Sequence, residues 1–340
     1  VTNITVTSVA IATGGAEAES IESIKLNAPL DYASQGRAVT AEDYKVYVRK
    51  LFPNTQAVSV WGGEDGSFDT STGVSSTPEY GKVFISVKST TGLNLTTSQK
   101  ENLEKDLAPF KVASITPVVV NPETTFIILG ITFNYNSSAT TQSKTDLESS
   151  VSTTISNFNN NKLKNFNSPF RHSELTGLID DTDSAITNNT TTVTMGKFFT
   201  PSLTTSSNYT VSFNNALYNP HSGHNSSGGG VIASTGFQID GDTSTEYFFD
   251  EDGSGNLRTY SVVSGTRTYL NSSAGSVDYT NGIVSINALK ITAVSNIDGE
   301  TSTTIRMTAI PSSNDIVPVR NQLLELDLVN TTITGQVDNT

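Results

Sequence analysis

From Ile127 to Tyr135 every second residue is large and apolar: Ile127, Leu129, Ile131, Phe133 and Tyr135. A period of two sends successive side chains to opposite faces of an extended chain, so this run predicts a strand with one buried face. It is the best strand in the sequence, and the segment after it is helical. Ser143 and Asp146 have the spacing of a capping box, with Leu147, Val151, Ile155 and Phe158 behind them at intervals of four, four and three. The segment SELTGLIDD offers Leu175, Leu178 and Ile179 to a further helix, and Thr190 to Met195 reads as a closing strand. A similar unit precedes it. Val83, Ile85 and Val87 alternate; Ser98 and Glu101 are placed to cap a helix that buries Leu103 and Leu107 and ends before Pro109. Ser114 to Val120 then returns as a strand, at an edge or a bulge, because Pro117 cannot donate to a ladder. Two successive β-α-β units with helices segregated on one face make an α+β arrangement, expected here as tandem ferredoxin-like halves over residues 78–196.

The chain before them, residues 1–77, opens with an alternating strand (Ile4, Val6) and an acidic helix starting at Gly14-Gly15. A second helix begins at Thr40, where Asp43 completes a capping box. Tyr44, Tyr47, Val48, Leu51 and Phe52 then form one apolar stripe that Pro53 stops. A strand from Ala57 to Trp61 leads into a loop rich in Gly, Ser and Thr. Residues 197–340 are almost entirely short strands and turns, which predicts a β-rich, sandwich- or barrel-like domain. Within it, Asp250–Asn256 separates Tyr247–Phe249 from Arg258–Val263 as a hairpin turn would. Asn281-Gly282 stands between Val277–Tyr279 and Ile283–Ile286, a strong short-range hairpin signal. A strand from Ser302 to Ile310 ends at Pro311.

Charge and composition narrow the function. Charged residues make up 16% of the chain, against about 25% usually, and Ser, Thr and Asn fill the difference. The net charge is −13, with no run of Lys and Arg, which argues against binding a phosphate backbone. Without cysteine there is no disulfide, thiolate metal site or cysteine nucleophile. The longest apolar run, near Phe126–Phe133, falls far short of the roughly 18 residues of a membrane span. No signal peptide opens the chain, and a start at Val1 is read as a piece or processed product of something longer.

Candidate chemistry is thin. Asp240-Gly-Asp242 and Asp250-Glu-Asp-Gly-Ser254 look like calcium loops, but Ser261 stands where the second would need its bidentate glutamate. Acidic, Gly-rich residues are also what a hairpin tip prefers. His221 and His224 lack further zinc ligands nearby and are expected in a mobile polar loop; His172 is expected at the solvent-facing end of its helix. Gly228–Gly230 lacks the Lys-Ser/Thr of a phosphate cradle, and no serine sits in Gly-x-Ser-x-Gly. A glycosidase carboxylate pair needs only spatial proximity, which sequence hides. The expectation is therefore no catalytic residue, no cofactor and no metal ligand, and a protein that is not an enzyme. The rings of Tyr247–Phe249 are expected to be half core, though the Ser/Thr/Asn-rich β region also suits an adhesin or tail-fibre-like glycan-binding module.

The order of segments from Thr13 to about Met195 carries more. A Gly-Gly start, an acidic helix, the block Arg37-Ala-Val-Thr-Ala-Glu-Asp-Tyr44 and then β-α-β units resembles the baseplate J family, structural proteins of contractile phage tails. The AVTAEDY block is its most specific part, and the β-rich region after Gly196 departs from shorter members. The resemblance implies a structural subunit of the virion's tail baseplate, assembled in the host cytoplasm. It implies partners too: copies of itself, as a homodimer or ring joining wedges around the tail tube, and other baseplate wedge proteins, with no nucleic acid and no membrane. Arg37, Thr40 and Asp43 then count as fold-determining residues.

Overall fold

Residues 21–69, 73–224 and 230–338 are described by a computed structural model. The expected strand at Ile4 and Val6 and the Gly14–Ser20 part of the first helix lie outside them, as do Gly228 and Gly229. Two compact units emerge: Val1–Phe68 with Val74–Pro122, and Asp69–Gly73 with Glu123–Thr340. The expected divisions at residues 77 and 196 both fall inside single hydrogen-bonded sheets, because strand signals are local and strand pairing is not.

In the first unit, α1 (Ile21–Ser34) precedes α2 (Ala41–Leu51). Thr40 is extended and its hydroxyl accepts the Asp43 amide at 3.2 Å, while the Asp43 carboxylate accepts the Thr40 amide at 2.8 Å. This reciprocal cap fixes where the helix starts, and so which way its stripe faces. Tyr44, Tyr47 and Val48 are buried, and Tyr47 stacks on Phe110 with centroids 4.3 Å apart. They cover a sheet in the order β1-β4-β5, from β1 (Thr55–Gly62), β4 (Lys82–Ser89) and β5 (Thr116–Val120). Between them lies a minimal ladder of β2 (Phe68–Asp69) and β3 (Gly73–Val74).

β1 and β4 are antiparallel; β4 and β5 are parallel neighbours joined through α3 (Thr97–Leu107). β5 is an edge strand, where Pro117 costs no ladder bond. The cap of α3 departs from expectation. Thr96 and Gln99 form the capping box, not Ser98 and Glu101, because the chain turns helical at Thr97. Leu103 and Leu107 are buried as expected.

The second unit is organised by β6 (Glu123–Tyr135) and β7 (Ile186–Phe199), antiparallel over most of their length. Between them run α4 (Lys144–Asn161), capped by Ser143 and Asp146, and α5 (His172–Asp180). One helix returns a chain to where the last strand began; a second reverses it again, so β7 enters antiparallel. Neither crossover is the split β-α-β of a ferredoxin-like half, in which another strand lies between the two that the helix joins. In the first unit the joined strands are adjacent, and in the second they are antiparallel. Leu175 and Ile179 are buried, whereas Leu178 is 39% exposed.

The remaining strands are β8 (Ser207–Ser212), β9 (Ile232–Ser234), β10 (Phe237–Ile239), β11 (Asp242–Glu251), β12 (Asn256–Val263) and β13 (Thr266–Asp278). They continue with β14 (Ile283–Leu289), β15 (Ile291–Val294), β16 (Ile305–Ala309), β17 (Gln322–Leu326) and β18 (Thr332–Val337). One sheet runs β15-β10-β11-β12-β13-β14-β8; the other runs β17-β6-β7-β16-β9, with β18 also on β6. A single core joins the alternating residues of β6 to Leu147, Val151 and Ile155 of α4 and to Phe249, Leu257 and Val284 of the other sheet. The α+β class is as expected, and the β-rich part is two facing sheets.

β17 and β18 lie end to end along the same edge of β6, both parallel to it. Their outer groups meet the helical layer: Leu326 N–H donates to Asn159 at 2.9 Å and Gly335 N–H to Glu148 at 2.9 Å, while Lys164 N–H donates to the Leu324 carbonyl at 3.0 Å. The β13–β14 hairpin forms where Asn281-Gly282 predicts it, through the loop Tyr279–Gly282, with Asp278 paired to Ile283. Gly282 has φ +67°, and a Cβ there would lie 2.0 Å from the Asn215 carbonyl oxygen, so only glycine fits.

Because β16, β17 and β18 complete the sheet around β6 and β7, a fragment of residues 123–197 is expected not to fold. A flat, poorly dispersed amide spectrum and no cooperative melt are the expected readings; a dispersed spectrum would contradict this account.

Candidate functional site

A buried charged cluster lies where β11, β12 and β13 meet. The β11–β12 hairpin pairs Phe248 with Tyr260 and Asp250 with Arg258. The β12–β13 hairpin pairs Tyr260 with Tyr269 and Val262 with Arg267. Strand alternation therefore gathers Phe248, Asp250, Arg258, Tyr260, Arg267 and Tyr269 on one face, while Phe249 and Leu257 turn into the core.

Asp250 is the centre. Its side chain is 1% exposed and accepts from Arg258 Nε at 2.9 Å, Arg267 Nη1 at 2.6 Å and the Tyr269 hydroxyl at 2.9 Å. The guanidiniums also stack: Arg258 lies 4.3 Å from the Tyr269 ring centre and Arg267 4.5 Å from that of Tyr260. Both tyrosines are raised above their ordinary value, chiefly by burial, so their hydroxyls stay protonated. Three strands are thus laced by one carboxylate and two cation–ring contacts. This chemistry holds a register.

The next residue points the other way. Glu251 is fully buried and accepts from the Tyr279 hydroxyl at 2.5 Å and from the Gly253 amide. Tyr279 is pushed up, first by burial and then by that carboxylate. His224 lies against the same site, its side chain 7% exposed and its Nε2 3.9 Å from Glu251. The histidine expected in a mobile polar loop is packed among Tyr218, Tyr279 and Glu251.

The calcium-like loops have other work. Asp252 accepts from the Ser254 and Asn256 amides and the Asn256 side chain, the pattern of a closed turn. Asp242 accepts from the amides of Ser244 and Thr245 and the Tyr247 hydroxyl, and its carboxyl lies well below the usual range, first through Thr245. Asp240 meets Lys290 at 2.9 Å. Tyr247 and Phe249 are buried, and Phe248 stacks on Tyr260. His172 is also less free than expected: its Nε2 lies 2.9 Å from the Thr191 carbonyl. No described group of three or more His, Asp or Glu is placed to hold a metal ion. No described helix is long and apolar enough to cross a membrane.

Comparison with known proteins parallels the division into units. Residues 40–120 match the family "Baseplate structural protein gp6, C-terminal domain I", and residues 123–197 match "Baseplate structural protein gp6, C-terminal domain III". The first match starts on the capping threonine of α2, and the second on the first residue of β6. Baseplate wedge protein gp6 of Enterobacteria phage T4 is 30% identical over 185 residues. In these segments the chain is similar to gp6 baseplate proteins. The shared stretch covers 54% of this chain and 26% of the T4 protein, so the chain spans about a quarter of gp6. The domain III match ends at Lys197, within β7, so the charge cluster lies beyond both domain matches.

The sequence carried one missed signal for that cluster. Asp250 and Arg258 flank the Asp252–Gly255 turn, so a hairpin register places them opposite each other. Asp250→Ala is expected to cost about 3–5 kcal/mol, because it strips a partner from a buried guanidinium. Urea unfolding should show a lower midpoint at unchanged slope. The turn carboxylates set the acid response. Asp146 (held by Ser143), Asp278 (by Asn281), Asp298 (by Asn330) and Asp315 (by the His172 amide) all lie below their ordinary value. A depressed carboxyl stabilises above its unfolded value and loses that contribution as pH falls through the folded one. Melting temperature is therefore expected to hold down to about pH 4 and drop below it, as read by circular dichroism.

Proposed function

We propose that this chain is a structural subunit of a contractile phage tail baseplate, a wedge component that associates with copies of itself and joins wedges into a ring around the tail tube. The observation that carries this reading is the pair of gp6 domain matches, in order and each starting at the beginning of a structural segment. The T4 relative is a baseplate wedge protein, which supports the place of action. Other wedge proteins are the proposed partners, the virion baseplate the proposed location, and the host cytoplasm the proposed site of assembly.

The physical chemistry agrees with such a role. A ring subunit needs rigid modules and complementary surfaces, and repeated use of one chain implies isologous or closed heterologous contacts. Here the acidic residues that suggested chemistry are spent on turns and on strand register. Apolar side chains at the surface supply candidate contacts: Leu328 and the 78% exposed Val329 at the β17–β18 turn, and Val262, Val263 and Leu270 on the β12–β13 hairpin. The β17–β18 turn is hydrogen-bonded, with Asp327 accepting the Val329 and Asn330 amides and Asn330 donating to Asp298.

Light scattering on the purified chain, followed by imaging of its mixture with other baseplate components, tests the reading. Masses above the monomer at high concentration and co-assembly into wedge-like particles are the expected results. A chain that stays monomeric and joins no wedge protein would overturn it.

A further inference from the structure

β8 ends the seven-stranded sheet, where it pairs antiparallel with β14. The Phe213 amide donates to the Gly282 carbonyl at 2.8 Å, which carries the ladder one step past the Ser212–Ile283 pair. Bonded and non-bonded pairs alternate along an antiparallel ladder. Val211 and Tyr209 therefore turn their backbone groups toward β14, while Asn208, Thr210 and Ser212 turn theirs outward. Among the described residues no hydrogen bond reaches those three backbones from the outer side.

An open edge is a template for another strand, and proteins guard such edges with charge, proline, bulges, brevity or a cover. The other edges of the larger unit carry guards. Asn159 and Glu148 of α4 accept from β17 and β18. β9 has three residues and β15 four, and β13 is bulged where it runs past β14. β8 is six residues long and contains no proline. Its one irregularity falls on β14, which fits an extra residue between Ile286 and Leu289. From Phe198 to Ile239 the chain has no Asp, Glu, Lys or Arg.

We propose that β8 is the strand through which a second copy of this chain joins, pairing antiparallel with its own counterpart about a two-fold axis at Thr210. The proposal rests on the self-association put forward above and names its surface. In this register Thr210 faces its counterpart, and Asn208 faces the second copy's equivalent of Ser212. Each such pair exchanges two backbone hydrogen bonds, about six in all. All the outward residues of both strands are matched at once, as an isologous contact requires. The side chains agree with it: Asn208 and Thr210 are exposed, Ser212 is half-buried, and all three can hydrogen-bond across the strands. Neutrality favours a copy of the same strand, because a charged edge repels its own counterpart. On the opposite face Val211 is buried and Tyr209 packs on the core, so pairing leaves the core as it is.

Residue-resolved hydrogen exchange, read with sedimentation equilibrium over a concentration series of the whole chain, tests the contact. The amides of Asn208, Thr210 and Ser212 are expected to gain about tenfold protection or more as monomer gives way to dimer. Those of Tyr209 and Val211, bonded to β14, are expected to stay protected throughout. Thr210→Lys and Thr210→Glu each set like charges at the axis and are expected to weaken association about fivefold or more, and an equimolar mixture of the two is expected to restore it. Should either variant fail to fold, the wild-type exchange pattern still decides. Association that leaves the three amides unprotected, or single variants that associate as the wild type does, overturns the β8 contact while self-association stands. A chain that is monomeric at every concentration overturns both. Protection that appears only when another baseplate component is added gives the edge to a different partner and refutes the proposal.

Discussion

The backbone of β6 is what the larger unit depends on. Its antiparallel ladder to β7 and its parallel ladders to β17 and β18 occupy both of its edges over most of its length, so most of its ladder groups have a partner. Those partners come from nearly two hundred residues downstream as well as from close by. The buried face of β6, from Ile127 to Tyr135, then gives α4, α5 and the opposite sheet a common surface to cover. Where the outer edge of β17 and β18 would be open, Asn159 and Glu148 of α4 supply acceptors. An exposed strand edge is an invitation to uncontrolled pairing, and here helix side chains close part of it.

The opposite sheet is held by a different balance. Burying Asp250, Arg258 and the adjoining tyrosines costs desolvation that a hydrophobic set would avoid, so the cluster is a poor source of net stability. What it supplies is register. A carboxylate on β11, guanidiniums on β12 and β13, and rings on both meet only in one alignment of the three strands. A subunit whose surfaces must match those of neighbours benefits from a sheet that does not slip.

Much of this was legible locally. The capping boxes at Thr40 and Ser143 start α2 and α4 where their spacing indicates, since both groups of each box are near neighbours in sequence. Around Thr96 several hydroxyls compete, and the choice of Thr96–Gln99 over Ser98–Glu101 depended on where the chain leaves the loop. The Asn281-Gly282 and Asp250–Asn256 turns likewise announce their hairpins. Less visible was what lies across a strand. The pairing of Asp250 with Arg258 is set once the hairpin register is known, but the arrival of Arg267 and Tyr269 requires the third strand. His224 read as a loop residue because nothing beside it in sequence is apolar; its burial comes from Tyr279 and Glu251, far along the chain.

The sequence alone determined the periodicities, caps and turns, and with them the α+β class, because these arise from residues within a few positions of one another. The direction in which β7 runs, the two strands laid end to end on β6, and the division at Pro122 were decided by tertiary structure. So was the conversion of calcium-like aspartates into turn acceptors and strand ties. Each depends on a ladder or an ion pair between residues that no local pattern connects, and such contacts are selected only when the whole core closes.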